Sequence, residues 1–451
     1  MMKKHVLLVA AFVAVVFTTF AQETNENTLL LQRLQNKVDT QQTILTKLNY
    51  LTITGYIQSE WQSGEQSATL KVGTANTDAS GNPIESPFNR FGIRRGRLRF
   101  TYDDGGIVSG SFLINMTDKA TASATGSAGN TFSNIQMQEV FLTVTDPWFK
   151  TCYFRAGVFV SPFGNGISWS PSLLETSERP RVLSTLFPDD DDLGFMLALQ
   201  PAKTSPFHFL KAQGGFFAGN GVNAQIDNRR DFIGQIFATD NIGKWATWEV
   251  GTSYCNGFVF QTDANVYTMS NNGFVLSSLA SNKNAYATRR YNGFDGKVVL
   301  KSLLGTTQLR GEYIWGLQPG TQSSSTSSNH NALPAATDTY VRPFTGWYAA
   351  IVHDICKTPF SVVVQYDVYD PNTKVSGNEV GSLAGTTKTD LQYNTLGFGA
   401  LWHVSRSLRL QAYYEFVNNE TSTALASTNW ASDYSHVLKA NDFTVRLQYQ
   451  F

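Results

Sequence analysis

Asp442-Phe443-Thr444-Val445-Arg446-Leu447-Gln448-Tyr449-Gln450-Phe451 alternates without a fault. All five odd positions are apolar or aromatic and all five even positions are polar. Successive side chains of a strand point to opposite faces, so the segment is a strand with one greasy and one wet face. Leu408, Leu410, Ala412, Tyr414 and Phe416 repeat the pattern against Arg409, Gln411, Tyr413 and Glu415. Leu51, Ile53 and Ile57 do the same against Thr52, Thr54, Gln58 and Glu60.

Extending this reading predicts sixteen strands, over 51–62, 91–102, 106–116, 135–145, 152–160, 192–200, 207–217, 230–240, 244–260, 289–302, 305–316, 341–354, 359–370, 390–404, 407–418 and 441–451. The connections alternate in length. Long polar loops such as 63–90, 161–191 and 261–288 follow odd-numbered strands, and turns such as Asp103-Asp104-Gly105 or Ser405-Arg406 follow even-numbered ones. A soluble sandwich has no reason to keep one end trimmed and the other long. A transmembrane barrel has one, with short turns in the periplasm and long loops outside. Strands of about 9–11 residues are what a tilted crossing of the hydrocarbon requires. Aromatic residues including Trp61, Tyr102, Trp148, Trp245, Trp315, Trp347 and Trp402 fall near the expected strand ends, where interface girdles form. The fold expected is all-β, a sixteen-stranded antiparallel transmembrane barrel over 51–451.

Composition agrees. The 451 residues hold 35 Lys plus Arg against 35 Asp plus Glu, so no net basic charge points to nucleic acid. Charged residues are 16% of the chain, below the roughly one quarter of soluble domains, while aromatics reach 13%. Residues 1–21 read as a secretory signal: Lys3 and Lys4, an apolar run from Val6 to Phe20, and a small-x-small site at Thr19-Phe20-Ala21. Residues 22–50 carry heptads, with Leu31, Val38 and Leu45 seven apart and Leu34, Gln41 and Leu48 likewise. Such a stripe suits a short periplasmic coiled coil, most simply of a homotrimer, or else a lone amphipathic helix. The three cysteines, Cys152, Cys255 and Cys356, have neither disulfide nor zinc spacing.

On the wet face, Arg95, Arg97 and Arg99 alternate with Gly96, Leu98 and Phe100. In lipid each arginine would cost about 2–4 kcal/mol at the midplane, so the row belongs to the lumen. Two readings stand. The row could be a rail of fixed positive charge for anions, whose oxygens the guanidinium fork fits. Equally, it could be a structural belt neutralised by lumenal acids such as Glu60, Glu139, Glu312 and Glu415. Arg155, Arg310, Lys297, Arg409 and Arg446 are further lumenal cations by alternation. The 161–191 loop is long for a β domain and rich in Pro, Phe and Trp, so it is expected to fold inward and set the constriction. There, Glu175 and Glu178 are expected to pair with Arg179 and Arg181. Asp189, Asp190, Asp191 and Asp192 form either a solvated acidic cap or a Ca²⁺ site, the one cofactor the sequence suggests. Among His208, His330, His353, His403 and His436 no two share ligand spacing, and no GxSxG, HExxH or phosphate loop occurs, so an enzyme is not indicated.

These residues also carry a resemblance. Ile93-Arg94-Arg95-Gly96-Arg97-Leu98-Arg99, Ala156 to Gly164, Glu178-Arg179-Pro180-Arg181, Leu186-Phe187-Pro188-Asp189, Asp192-Leu193-Gly194 and the terminal Phe451 resemble the phosphate-selective porin O/P-like family of Gram-negative outer membranes, of the Bacteroidetes type. The resemblance spans about 51–451. It implies a trimeric sixteen-stranded channel, phosphate or carboxylate as solute, outer-membrane lipid and lipopolysaccharide as surroundings, and recognition of Phe451 by the barrel-assembly machinery. The expectation is therefore an outer-membrane channel for passive diffusion of small solutes, anions such as phosphate or carboxylate among them. The alternative is a barrel serving adhesion or scaffolding through its loops.

Overall fold

The computed structural model describes residues 28–73, 88–116, 135–188, 190–223, 225–326 and 337–451. The expected signal segment 1–21 and Asp189 lie outside them. Helix α1 occupies residues 28–49. The strands that follow are β1 (Leu51–Gly64), β2 (Phe88–Asp103), β3 (Val108–Met116), β4 (Ile135–Thr145), β5 (Cys152–Val160), β6 (Asp191–Leu199), β7 (Leu210–Phe217), β8 (Asp231–Ile242) and β9 (Ala246–Phe260). After these come β10 (Asn265–Ser270), β11 (Gly273–Ser278), β12 (Tyr286–Ser302), β13 (Gly305–Gly320), β14 (Thr339–Ile355), β15 (Phe360–Asp370), β16 (Tyr393–His403), β17 (Leu408–Asn419) and β18 (Asp442–Gln450). One short helix, α2 (Arg181–Leu186), interrupts the connection from β5 to β6.

Each wall strand pairs antiparallel with its neighbours, β9 pairs directly with β12, and β1 pairs with both β2 and β18. The result is a closed cylinder of sixteen strands without a free edge. Closure matters because hydrocarbon offers no hydrogen bonds to an open edge. Sixteen strands tilted near 40° enclose a backbone cylinder about 30 Å wide.

The wall explains itself by alternation. Ile53, Ile57, Phe112, Leu197, Ile236, Phe294, Ile351, Val364, Phe398 and Leu447 are exposed on the outside, while Gln58, Glu60, Glu139, Glu312, Gln365, Gln411 and Arg446 are buried within. An exposed apolar belt of this extent is stable only in lipid. The apolar core sits inside the cylinder and to one side. Phe163, Ile167, Val182, Leu183 and Leu186 of the β5–β6 connection pack on Phe217, Ile233, Tyr291, Ile314, Phe344, Tyr348 and Tyr369 of the wall.

The β10–β11 hairpin stands where a plain loop was expected over 261–288. Its two strands meet through Asn271 and Asn272, the tight connection a two-residue hairpin prefers. β10 then adds in parallel to the start of β14, through Val266↔Thr339. Met269 and Phe274 bury against Tyr340, Val375, Val380 and Leu391, so the hairpin joins other long loops in a second small core at the long-loop end of the barrel.

Phe398 lies at the middle of β16, on the lipid-facing side. Phe398→Arg is expected to destabilise the barrel by about 2–4 kcal/mol in urea titrations of vesicle-inserted protein. An unchanged midpoint would mean that this face does not meet hydrocarbon.

Candidate functional site: a clasped loop and a charged constriction

The connection from β5 to β6 crosses the lumen. It begins with Gly164 at φ +57, a left-handed conformation that favours glycine. A Cβ there would collide with the Glu312 carboxylate. Without one, the Gly164 amide donates to Ser253 Oγ (2.8 Å), Asn165 Nδ2 to Glu249 Oε1 (2.6 Å), and the Gly166 amide to Glu312 Oε2 (3.2 Å). Farther on, inward side chains of the opposite wall catch backbone carbonyls. Gln58 donates to Pro171 O (3.1 Å), Gln448 to Ser172 O (2.9 Å), Arg409 to Leu174 O (3.0 Å) and Gln411 to Glu175 O (2.8 Å). Buried carbonyls without partners would be costly, so each bond fixes the path of the segment.

The strongest anchor is Glu178. Between Gln58↔Arg95 and Ser59↔Ile93 the β1–β2 register shifts by one residue, and Arg94 is the extra one. Such a bulge lets two successive side chains serve the same face. Arg94 Nε donates to Glu178 Oε1 and Arg95 Nη2 to Glu178 Oε2, both at 2.7 Å. Arg446 stands 3.6 Å away and itself pairs with Glu60 while donating to the carbonyls of Thr176 and Ser177. Burial disfavours the charge on Glu178, yet Arg95, Arg94 and Arg446 outweigh it and hold the carboxyl well below its ordinary range.

The structure corrects the pairing expected inside the loop. Glu178 binds Arg94 and Arg95 of the wall, and Glu175 binds Arg310 at 2.7 Å. Arg179 turns back on its own loop, donating to the carbonyls of Gly166, Ile167 and Trp169 and pairing with Asp190 at 2.6 Å. Arg181 lies over the Tyr393 ring (4.2 Å). Arg310 and Lys297 flank Trp169 at 4.8 and 5.3 Å, with Lys297 also on Glu249. The role of Arg94 was hidden because strict alternation assigns it to lipid; the Arg-Arg pair was the one available hint of a bulge.

The arginine row on β2 is thus not uniform. Arg95 is committed to Glu178 and Gln58, and Arg99 to Glu139 and Ser111. Between them, Arg97 makes neither an ion pair nor a side-chain hydrogen bond among the described residues. Arg155, toward the periplasmic end of β5, is held by Thr143 (3.2 Å) and the Phe141 ring (4.4 Å). Of the acidic run, Asp190 pairs with Arg179, Asp191 accepts from Gln138 (2.8 Å), and Asp192 accepts from the Gly219 amide (2.8 Å). These three carboxylates are drawn to separate partners, and among the described residues no group of acidic, His or Cys side chains converges as a metal site.

With one side of the cylinder filled by the loop, open space remains beside β1 to β4. An outer cavity of about 870 Å³ and an inner one of about 230 Å³ share the same lining at their junction: Arg97, Gln138, Arg179, Asp190 and Asp191. The two cavities adjoin at this junction. Its charges are mixed, with Arg97 on the wall facing the acidic start of β6.

At the periplasmic rim His353 and Asp354, adjacent in sequence, take opposite faces. His353 Nδ1 meets Thr307 Oγ1 (2.9 Å), whereas Asp354 accepts the Ser361 hydroxyl (2.6 Å), which also lies 3.0 Å from His403 Nε2. A nucleophilic serine hands its proton to histidine while the carboxylate orients that histidine; here the serine donates to the carboxylate itself.

No family model and no curated protein sequence matches the chain. Among solved structures, the chain is similar in fold to OprB of Pseudomonas putida, determined at high pH, with 9% identity, 91% of this chain and 96% of that chain covered, and a TM-score of 0.54. It is similar also to OmpF of Salmonella typhi in complex with daunomycin, with 10% identity, 89% and 97% covered, and a TM-score of 0.52. The fold is that of an outer-membrane porin. A closed wall with an apolar exterior and a polar interior places the chain in the Gram-negative outer membrane.

A carboxylate held this far below its ordinary range contributes stability above that range and loses it only as pH falls through the lowered value. The Glu178 clasp should therefore hold at neutral and mildly acidic pH alike, and its contribution to conductance should be flat from about pH 5 to 8. Glu178→Gln leaves buried guanidinium groups uncompensated, a loss of roughly 3–5 kcal/mol. Single-channel records of the variant should show larger, fluctuating conductance; records identical to the parent would refute the clasp.

Proposed function

We propose that the channel passes small polar solutes by passive diffusion with a modest preference for anions, set at Arg97. The observation that carries this reading is the position of Arg97. It is the one member of the β2 row left without a carboxylate or hydrogen-bond partner among the described residues, and it lines both cavities where they meet. A guanidinium keeps its charge at every working pH and presents a planar fork to phosphate or carboxylate oxygens.

The neighbouring charges temper the preference. Asp190 and Asp191 stand at the same narrowing, and the outer cavity is lined by Glu178, Asp367, Glu415 and Asp442 as well as by Lys71, Arg94, Arg95 and Arg181. A lining so balanced suits a general channel better than a dedicated phosphate path. The likeness of residues 93–99 to the phosphate-selective family supports the anionic sign; the ion pairs of Arg95 and Arg99 argue against a continuous rail. Self-association as a trimer accords with α1, whose Leu31, Leu34, Val38, Leu45 and Leu48 stand exposed along one heptad stripe.

One unit charge near a passing ion is worth about 1 kcal/mol at 4 Å in water. Arg97→Ala should therefore lower the anion-to-cation permeability ratio by roughly two- to fivefold. The readout is the reversal potential of the native oligomer in a planar bilayer under a salt gradient. A reversal potential equal to that of the parent would end this proposal.

A further inference from the structure

Among the described residues every wall-strand lysine and arginine but one turns inward, Arg94 by way of its bulge. Arg290 is the exception. It alternates with Tyr291 within and shares the outer face of β12 with Asn292 and Phe294, and it is exposed. Its register partners are Asn256 on β9 and Leu317 on β13, both also on the outside. One step toward the periplasm, Asn292 pairs with Tyr254 and Trp315, exposed outward aromatics of the kind that form an interface girdle. Arg290 thus stands just beyond that girdle, at the depth of the outer-leaflet headgroups. An arginine facing acyl chains would be costly, but at headgroup depth it can meet phosphate.

Two more cations stand at the same rim. The Arg229 guanidinium lies over the Phe258 and Tyr286 rings, at 5.1 and 5.3 Å, and both rings occupy outward positions of β9 and β12. Arg230 immediately precedes β8, whose Phe232 is the register partner of Asn256. It is exposed, and its Nη1 donates only to the carbonyls of Arg229 and Asp227. Among the described residues none of the three guanidinium groups has a carboxylate partner; Asp227 instead accepts the backbone amide of Arg229. Three unneutralised charges, two outward asparagines and two aromatic faces therefore gather on the outside of β8, β9 and β12.

We infer that this surface is a binding site for the phosphorylated sugar headgroup of an outer-leaflet glycolipid. The guanidinium forks would hold phosphate oxygens by charge-assisted hydrogen bonds, that of Arg229 steadied over Phe258 and Tyr286, and Asn256 and Asn292 would meet sugar hydroxyls. Phosphate is favoured over a peptide partner because the charges sit directly above a lipid-facing apolar wall, where an acyl chain continues the same ligand. The inference rests on the barrel's orientation in the membrane and not on the selectivity of its lumen.

The test uses the full native protein in detergent, freed of lipid, with diphosphoryl lipid A, dephosphorylated lipid A and inorganic phosphate as probes and native mass spectrometry as the readout. The combined variant Arg229→Gln, Arg230→Gln, Arg290→Gln should bind diphosphoryl lipid A about tenfold more weakly than the parent, the scale of losing hydrogen bonds to charged groups. Dephosphorylated lipid A should bind parent and variant alike, inorganic phosphate at matched concentration should not displace the lipid, and single-channel conductance should stay unchanged. Equal affinity of parent and variant for diphosphoryl lipid A would overturn the site. So would displacement by inorganic phosphate alone, which would assign the arginines to the free ion. Should the combined variant fail to assemble, Arg290→Gln alone decides: a smaller but measurable drop supports the site, and none refutes it.

Discussion

The interior of this barrel depends on one buried ion cluster, the Glu178 carboxylate clasped by Arg94 and Arg95 with Arg446 behind it. A cylinder about 30 Å across would otherwise enclose a wide water-filled bore. The clasp stretches the β5–β6 connection from its glycine-rich start at Ser253 and Glu312 to the far wall at β1 and β2. One half of the lumen then becomes an apolar core of Phe163, Leu183, Tyr291 and Tyr348, and the other half stays wet. Burying charge is expensive, and such pairs often stabilise no more than well-packed apolar groups would. Here the clasp supplies position: it fixes which side of the bore stays open.

The same cluster explains why the β2 arginines do not act as a uniform row. Arg94 and Arg95 hold the loop, Arg99 holds Glu139, and Arg97, with no carboxylate partner among the described residues, lines both cavities. A segment that reads as a single motif thus divides between arginines that hold the architecture and one that faces the open cavities. Charge is also divided by face. The lumen mixes both signs, whereas on the outer face Arg290 is the one wall-strand cation among the described residues.

Much of the fold was legible in the sequence. Strict alternation, as in 442–451, located all sixteen wall strands, because lipid outside and water inside leave little freedom in side-chain polarity. The short and long connections likewise fall at opposite ends of the barrel, as their lengths predict. Less could be read where that constraint lapses. The β10–β11 hairpin lies beyond the lipid, and its two-asparagine turn was the only local signal for it. The loop's partners were not legible either: Glu175 and Glu178 bind residues 135 positions downstream and 83–84 upstream, while the nearby Arg179 and Arg181 turn elsewhere. The bulge at Arg94 broke the alternation that served everywhere else. For the constriction, the sequence named Arg97, Arg179, Asp190 and Asp191 but not that they meet, nor that Gln138 joins them.

Thiol accessibility during current recording tests most directly that the loop closes one half of the lumen and leaves the route beside β1 to β4. Cys255 is native, buried on the closed side, and can be kept while Cys152 and Cys356 are replaced by serine. In that background a charged methanethiosulfonate should leave the current untouched, and should block it once Asn115→Cys places a thiol in the outer cavity. Rapid block through Cys255, with Asn115→Cys inert, would show that solutes travel on the opposite side.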